Sequence, residues 1–434
     1  VLAPIVVREY ARLTTSPLPH PTLDEAQISK TAFGWLCELA GRFRSSGASL
    51  LQVDGRRRLK LDNFVGVLES PCGQVIEILP KHRTDDDCVV EARGLMRKLI
   101  SSALQMSARH TEVASLELYD APLAEWVMQQ FLFELDHLIK RGLRFDYLRV
   151  EEEQRYLRGQ LDVVKQMRQP PGRQHFFQIR HDIFLPDRPE NRLLKSALEL
   201  VCRNTQDAEN WRLAHELAGM LHELPPSRDI EQDFRLWRND RLMAHYQGIK
   251  SWCELILHQQ MPLAVAGEYR GISLLFPMEK LFESYVEQQL RMLLPLGALR
   301  SQVQSEYLCS HKGERIFRLK PDLLLNLHGQ PQIILDTKWK LLDAADRSNN
   351  YGLSQSDFYQ LFAYGQKYLK GSGELVLIYP AWPKFNCTKP IADFHFDEKL
   401  SLRVLPFDLE DSCAAQNLID QLSMPVQDVL VSAA

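Results

Sequence analysis

The sequence predicts a three-part α/β protein, with a strand-rich mixed domain over residues 1–112, a helical middle over 113–265 and an α/β domain over 266–434. Three observations carry this. The chain has 434 residues, more than one compact core usually accommodates. The apolar pattern changes along it, from short alternating runs to helical three-four spacing and back to runs with helices between them. Proline-rich stretches interrupt it at Thr14 to Pro21, Gln169 to Arg173 and Leu224 to Ser227.

In the first part, SLLQVDGRRRLKLDNFVGVLES reads as strands around a turn in which Gly55 suits a hairpin. QVIEILPKH is a further strand after the turn Pro71-Cys72-Gly73, and a helix is expected from about Glu91 to Gln105. In the middle, Trp126, Phe131, Leu135 and Leu138 form a buried stripe on a helix that Gly142 ends. ENRLLKSALELVCRN, RLAHELAGMLHEL and NDRLMAHYQGIKSWCELIL are further helices, and RYLRGQLDVV and HFFQIRHDIFL read as strands. The last part runs helix PMEKLFESYVEQQLRMLL, strands IFRLKPDLLLNL and PQIILDTKWK joined by the turn His328-Gly329-Gln330, helix SDFYQLFAYGQKYL and strand ELVLIYPA.

Composition excludes several classes. Hydrophobic content of 45% and charged content of 25% are ordinary for a globular chain, and no apolar run approaches a membrane span. The first residues reach Arg8 and Glu9 too soon for a signal peptide, so a cytoplasmic chain is expected. Eight cysteines include no CxxC pair, which argues for reduced thiols rather than zinc or disulfides. Thirteen histidines show no HxH or HxxxH clustering. A net charge of −4 makes any nucleic-acid contact local or shared with a partner. No Gly-Lys dipeptide occurs, hence no Walker A loop, and a nucleotide-driven motor would lie on another chain.

One constellation carries chemistry. Pro321-Asp322, then Asp336-Thr337-Lys338, supplies two carboxylates and a lysine at the spacing of a strand, a turn and a returning strand. Hydrolysing a phosphodiester needs an activated water and neutralised phosphate charge, and a hard divalent cation held by carboxylates supplies both. Lysine orients the water or stabilises developing charge. Asp336 and Lys338, two apart on a strand, point the same way, and the Thr337 carbonyl between them is available to a metal. This is the PD-(D/E)xK pattern. Average residue usage produces it by chance in roughly one chain in six of this length, so the pattern alone is weak. Only this region carries both halves: Pro186-Asp187 lacks a following acid-x-lysine and Asp397-Glu398-Lys399 lacks a preceding PD. Gln360 and Tyr364 share a helix face at i, i+4, as a QxxxY pair beside such sites does. Glu283, on the preceding helix, is a candidate metal ligand, but it shares a stripe with Glu279 and Glu287 that reads equally well as a solvated face.

The strings LFESYV, KPDLLL, ILDTKWK and DFYQLFAYGQKY resemble the nuclease domain of the McrC family, the cleavage subunits of 5-methylcytosine-dependent restriction systems. FVGVLESPCGQVIEILPKHR, YLRGQLDVVKQMR, LPDRPENRLLKSAL and NDRLMAHYQGIKSWCELIL extend the resemblance across about residues 60 to 410. It implies a carboxy-terminal restriction-endonuclease-like fold, Asp322 and Asp336 as metal-binding acids for Mg2+ or Mn2+, and Lys338 as the catalytic lysine. It also implies a McrB-like AAA+ GTPase ring as partner and modified double-stranded DNA as substrate. The exposed turn Arg56-Arg57-Arg58 is a candidate contact to that ring, since guanidinium groups bind carboxylates or phosphates bidentately. A self-sufficient DNA nuclease with the same chemistry and a non-catalytic activator of a partner NTPase are the alternatives.

Overall fold

The computed structural model describes residues 4–45, 50–81, 88–103, 122–170, 172–173, 175–238, 240–258, 274–327 and 330–422. The chain divides into two compact units, one of Val1–Asp120 with Leu275–Ala434, the other Ala121–Leu274. The amino-terminal strands and the carboxy-terminal sheet, separate parts in the sequence reading, therefore share one unit.

The first unit holds a six-stranded mixed sheet in the order Leu299–Ser301, Leu323–Leu327, Gln330–Thr337, Gly373–Pro380, Leu400–Phe407, Phe394–His395. The inner strands are apolar on both faces, because helices cover them: Ile333, Ile334, Leu335, Leu375, Val376, Leu377 and Ile378 are all buried. Helix Met278–Leu293 packs against Gln330–Thr337, and helix Gln355–Tyr368 packs against Gln330–Thr337 and Gly373–Pro380. A four-stranded sheet runs in the order Ile5–Arg8, Val75–Leu79, Phe64–Glu69, Leu274–Pro277. There Glu77, fully buried, is neutralised by Arg93 of helix Val89–Ala103 at 2.6 Å. The expected arginine hairpin forms: Leu51–Val53 pairs with Arg58–Leu61, and Gly55 takes φ +97° at its tip. The expected helix at Glu91 spans Val89–Ala103; residues 104 and 105 lie outside the described residues, as do His328 and Gly329.

In the second unit, helices Leu123–Arg141, Pro189–Asn204, Ala208–Met220 and Gln247–His258 bury Trp126 edge-on against Trp252 at 5.4 Å. Tyr246, also buried, donates to Asn191 Oδ1 at 2.8 Å and accepts from the Arg144 N–H at 2.9 Å. No described helix is long and apolar enough to cross a membrane.

Three sequence expectations change. RYLRGQLDVV contributes only the short strand Gln160–Leu161, and Val163–Met167 is a helical turn capped by Asp162. The long strand lies upstream, Asp146–Gln154, paired over its length with Phe177–Leu185. Its signal is charge rather than alternation. Glu151 lies opposite Arg180 and Arg149 opposite Asp182, so the pairing is partly ionic. Second, IFRLKPDLLLNL is two strands in different sheets, Glu314–Arg318 and Leu323–Leu327. Pro321 has no N–H to donate and restricts Lys320, so the strand breaks and Asp322 stands at the entrance of the second strand rather than inside it. Third, the sheet continues past ELVLIYPA with Leu400–Phe407, parallel to Gly373–Pro380, and helix Ala414–Gln421 follows.

Helix Gln355–Tyr368 approaches the sheet closely through Gly365. A β-carbon there would lie 2.8 Å from Leu400 and 3.3 Å from Leu375, both fully buried. Gly219, on helix Ala208–Met220, has nothing within 4 Å of the same position. The two glycines should answer oppositely to alanine. Gly365→Ala is expected to destabilise by about 1–2 kcal/mol, overpacking outweighing the gain in helix propensity. Gly219→Ala should stabilise by about 0.5–1 kcal/mol. Denaturant titration of both variants checks the signs.

Candidate active site

The site is built from the edge of one strand and the end of its neighbour. Leu323 pairs with Leu335 in antiparallel register. One step further in that register sets Asp322 opposite Asp336, and directly opposed residues on neighbouring strands present their side chains to the same face. On the other side Asp336 pairs in parallel with Leu377, and the Lys338 N–H donates to the Ile378 carbonyl at 2.9 Å, extending the pairing just beyond the strand.

Asp322 is half-buried, and its Oδ2 accepts from the Thr337 N–H at 2.9 Å and from Thr337 Oγ1 at 3.0 Å. Asp336 is only 2% exposed. Its Oδ2 lies 2.6 Å from Lys338 Nζ, an ion pair whose geometry is not that of an aligned hydrogen bond, and Oδ2 has no other donor among the described residues. Burial, then the Asp322 charge, raises the Asp336 carboxyl well above the usual aspartate range, with Lys338 opposing. Burial by itself would lower the Lys338 ammonium. The Asp336 carboxylate outweighs it and holds the lysine above its ordinary value, so it stays charged.

Glu283 does not lie on a solvated face. It is 8% exposed, whereas Glu279 on the same helix faces solvent. It accepts from Lys280 Nζ at 2.7 Å and from Gln302 Nε2. Burial and the Asp322 charge raise its carboxyl. The Gln302 N–H also donates to the Asp322 carbonyl at 2.8 Å, which ties Glu283 to the backbone of Asp322. Gln360 Nε2 donates to the Tyr364 hydroxyl at 2.6 Å, and that hydroxyl donates to the Lys320 carbonyl at 3.0 Å. Tyr364 is buried and electrostatically linked to both aspartates. The QxxxY pair thus fixes the backbone leading into Pro321-Asp322.

Sequence reasoning missed Gln302, Lys280 and Asp357. Gln302 and Asp357 reach the site from other elements, Asp357 by its charge on Asp336 and Lys338. An i, i+3 spacing to Glu283 was the one local signal for Lys280. Arg56, Arg57 and Arg58 are all exposed on the hairpin.

The donor set fits a hard divalent cation. Two carboxylates face each other across adjacent strands, and the buried Oδ2 of Asp336 meets the Lys338 ammonium but no other donor among the described residues. Among the described residues no three acidic, histidine or cysteine side chains converge into a ready-made cage.

Residues 59–380 match the family model described as McrBC 5-methylcytosine restriction system component. The chain belongs to that family. No curated protein matches it. Among solved structures, the fold of this McrBC-family chain is similar to one titled as a refined half-complex from a tetradecameric assembly of Thermococcus gammatolerans McrB AAA+ hexamers with bound McrC. The TM-score is 0.71 at 18% identity, over 96% of this chain and 98% of that one. A cryo-EM structure of the Thermococcus gammatolerans McrBC complex matches with TM-score 0.52 and 19% identity, over 67% of this chain and 87% of that one.

The Asp336 shift has a consequence for stability. Its folded value is raised, so the contribution is complete below the ordinary aspartate value near 4 and drains as pH rises from there. In metal-free buffer, Asp336→Asn should therefore gain melting temperature relative to the unsubstituted chain between pH 5 and pH 8. Thermal denaturation at the two pH values tests this, and parallel curves would refute it.

Proposed function

We propose that the chain is the DNA-cutting subunit of a modification-dependent restriction system, hydrolysing phosphodiesters of modified double-stranded DNA together with an AAA+ GTPase ring of the McrB kind. The observation that carries the reading is the meeting of Asp322, Asp336 and Lys338 at the ends of two adjacent inner strands in a chain of the McrBC family. Support for the ring comes from the solved structure of similar fold, in which McrC is bound to McrB AAA+ hexamers.

Asp322 and Asp336, with the Thr337 carbonyl, would hold Mg2+ or Mn2+, Glu283 standing behind them through Gln302. Bound there, the cation supplies Lewis acidity toward the phosphate and a lowered pKa for water. The chain does the rest by positioning. Thr337 fixes the Asp322 carboxylate through two hydrogen bonds, and Tyr364 fixes the strand entrance. Lys338, kept charged by Asp336, would orient the attacking water and offset the charge that develops on phosphate oxygens.

Asp322→Ala, Asp336→Ala and Lys338→Ala are each expected to lower DNA cleavage by at least about a hundredfold with the fold retained. The acid substitutions should also abolish metal binding, the lysine substitution much less. Plasmid cleavage with magnesium and manganese, alongside calorimetric metal titration, reads both effects; wild-type cleavage by the Asp336 variant would end the nuclease reading. For the partner, replacing Arg56, Arg57 and Arg58 together by alanine should weaken stimulation of the ring's GTP hydrolysis without changing metal binding. Identical stimulation curves across a titration of the two chains would return this hairpin to ordinary solvated surface.

A further inference from the structure

A cleft of about 530 Å³ opens beside Lys338, within the size range of small-ligand sites. Glu9, Tyr10, Lys81, Trp339 and Lys340 line it together with Lys338. Its residues therefore come from both ends of the sequence, and it shares Lys338 and Asp357 with the acid–lysine site.

Glu9 is the feature that calls for a ligand. Its side chain is completely buried. Oε1 accepts from the Lys81 N–H at 2.7 Å and from Trp339 Nε1 at 2.7 Å. Oε2 is shielded from solvent and has no hydrogen-bond partner among the described residues. A buried carboxyl oxygen left without a donor is costly, and a fold retains one where something else brings the donor. The backbone around it is held firmly. The Glu9 N–H donates to the Leu79 carbonyl at 2.9 Å, and Tyr10 is fixed at φ +63°, in a region that non-glycine residues seldom occupy. Tyr10 keeps 39% of its surface exposed, an aromatic face open to the cleft it lines. Lys338 and Lys340 bring positive charge beside the acids, set against the Glu279 and Asp357 carboxylates that also line the cleft, while the unpaired oxygen supplies an acceptor and the tyrosine a stacking surface. A nucleotide offers the complement of all three: phosphate, base amino group and π-face.

We propose that this cleft is a single-nucleotide site that takes the nucleotide adjoining the scissile phosphate, with Glu9 accepting from the exocyclic amino group of its base. The proposal rests on the nuclease reading for the identity of the strand. The site favours cytosine, adenine or guanine over thymine, which has no amino group. Phosphate goes to the lysine side, next to the acids, and the base stacks on Tyr10.

The test uses the full-length chain in EDTA, where metal-dependent cutting is off and the Asp336–Lys338 pair beside the cleft stays intact. It is titrated with fluorescein-labelled oligodeoxycytidine and oligodeoxythymidine at pH 8.5, above the value of about 7 to which burial raises Glu9. The cytidine oligomer should bind roughly three- to tenfold more tightly. Adding Glu9→Gln, whose amide still accepts from Lys81 and Trp339 but turns a donor toward the cleft, should remove or reverse that preference at an unchanged melting temperature. Tyr10→Ala should weaken both oligomers alike, by roughly fivefold or more. Equal affinities in the parent chain, or a preference that survives Glu9→Gln, would overturn the proposal. If Glu9→Gln lowers the melting temperature, Tyr10→Ala decides, and unchanged affinity for both oligomers overturns the site. Competition by free deoxycytidine monophosphate at oligomer-like concentrations would assign the cleft to free nucleotides instead of the strand. The two readings fail separately: cutting without base preference removes only the cleft proposal, and base preference in a chain that never cuts removes only the nuclease reading.

Discussion

Two carboxylates opposed across adjacent strands of a buried sheet repel each other, and the surroundings of the site answer that repulsion. Asp336 is almost wholly shielded from water, so its charge is poorly solvated and is further disfavoured by Asp322. Lys338 offsets part of this from two residues away. Thr337 offsets another part by donating twice to Asp322. What remains is an excess of negative potential at the ends of two adjacent inner strands, the condition under which a divalent cation binds well. The inner strands make this possible, because a sheet covered by helices excludes water from the acids as well as from the leucines and isoleucines around them.

The arrangement depends on positions being fixed to within a residue. A one-residue slip between Leu323–Leu327 and Gln330–Thr337 would send the aspartates to opposite faces. Several contacts oppose such a slip. Tyr364 and Tyr368 both donate to carbonyls of the segment before Asp322, Lys320 and Leu319 respectively. Gln302 ties the Asp322 carbonyl to Glu283. The helix carrying both tyrosines comes close enough to the sheet only because residue 365 is glycine. Side chains distant in sequence thus act on a single backbone segment.

The amino-terminal strands belong to the same compact unit, and Glu9 marks where they meet the motif. Its bond to Trp339 joins residues 330 positions apart, and Trp339 sits between Lys338 and Lys340 while packing on Phe282 at 5.5 Å. The segment that holds the lysine is therefore anchored by the amino-terminal strand, the helix Met278–Leu293 and the central sheet together.

Much of this was legible locally. Period-two placement put Asp336 and Lys338 on one face, i, i+4 spacing joined Gln360 to Tyr364, and Gly55 marked the arginine hairpin, because each depends only on bond geometry over a few residues. The strand Asp146–Gln154 was not legible, since its pairing is carried by charges on a partner strand rather than by its own apolar pattern. Nor was the break at Pro321, where one strand became two in different sheets, although proline's missing N–H was the available clue. By itself the sequence determined the acid-acid-lysine set and most of the elements that bear it. Only the tertiary structure decided that Glu283 is buried rather than solvated, that Gln302 joins it to Asp322, and that Glu9 faces the cleft beside Lys338. Those contacts are made by chain segments tens to hundreds of residues apart, and no short-range periodicity encodes which distant side chain will fill a given gap in a packed interior.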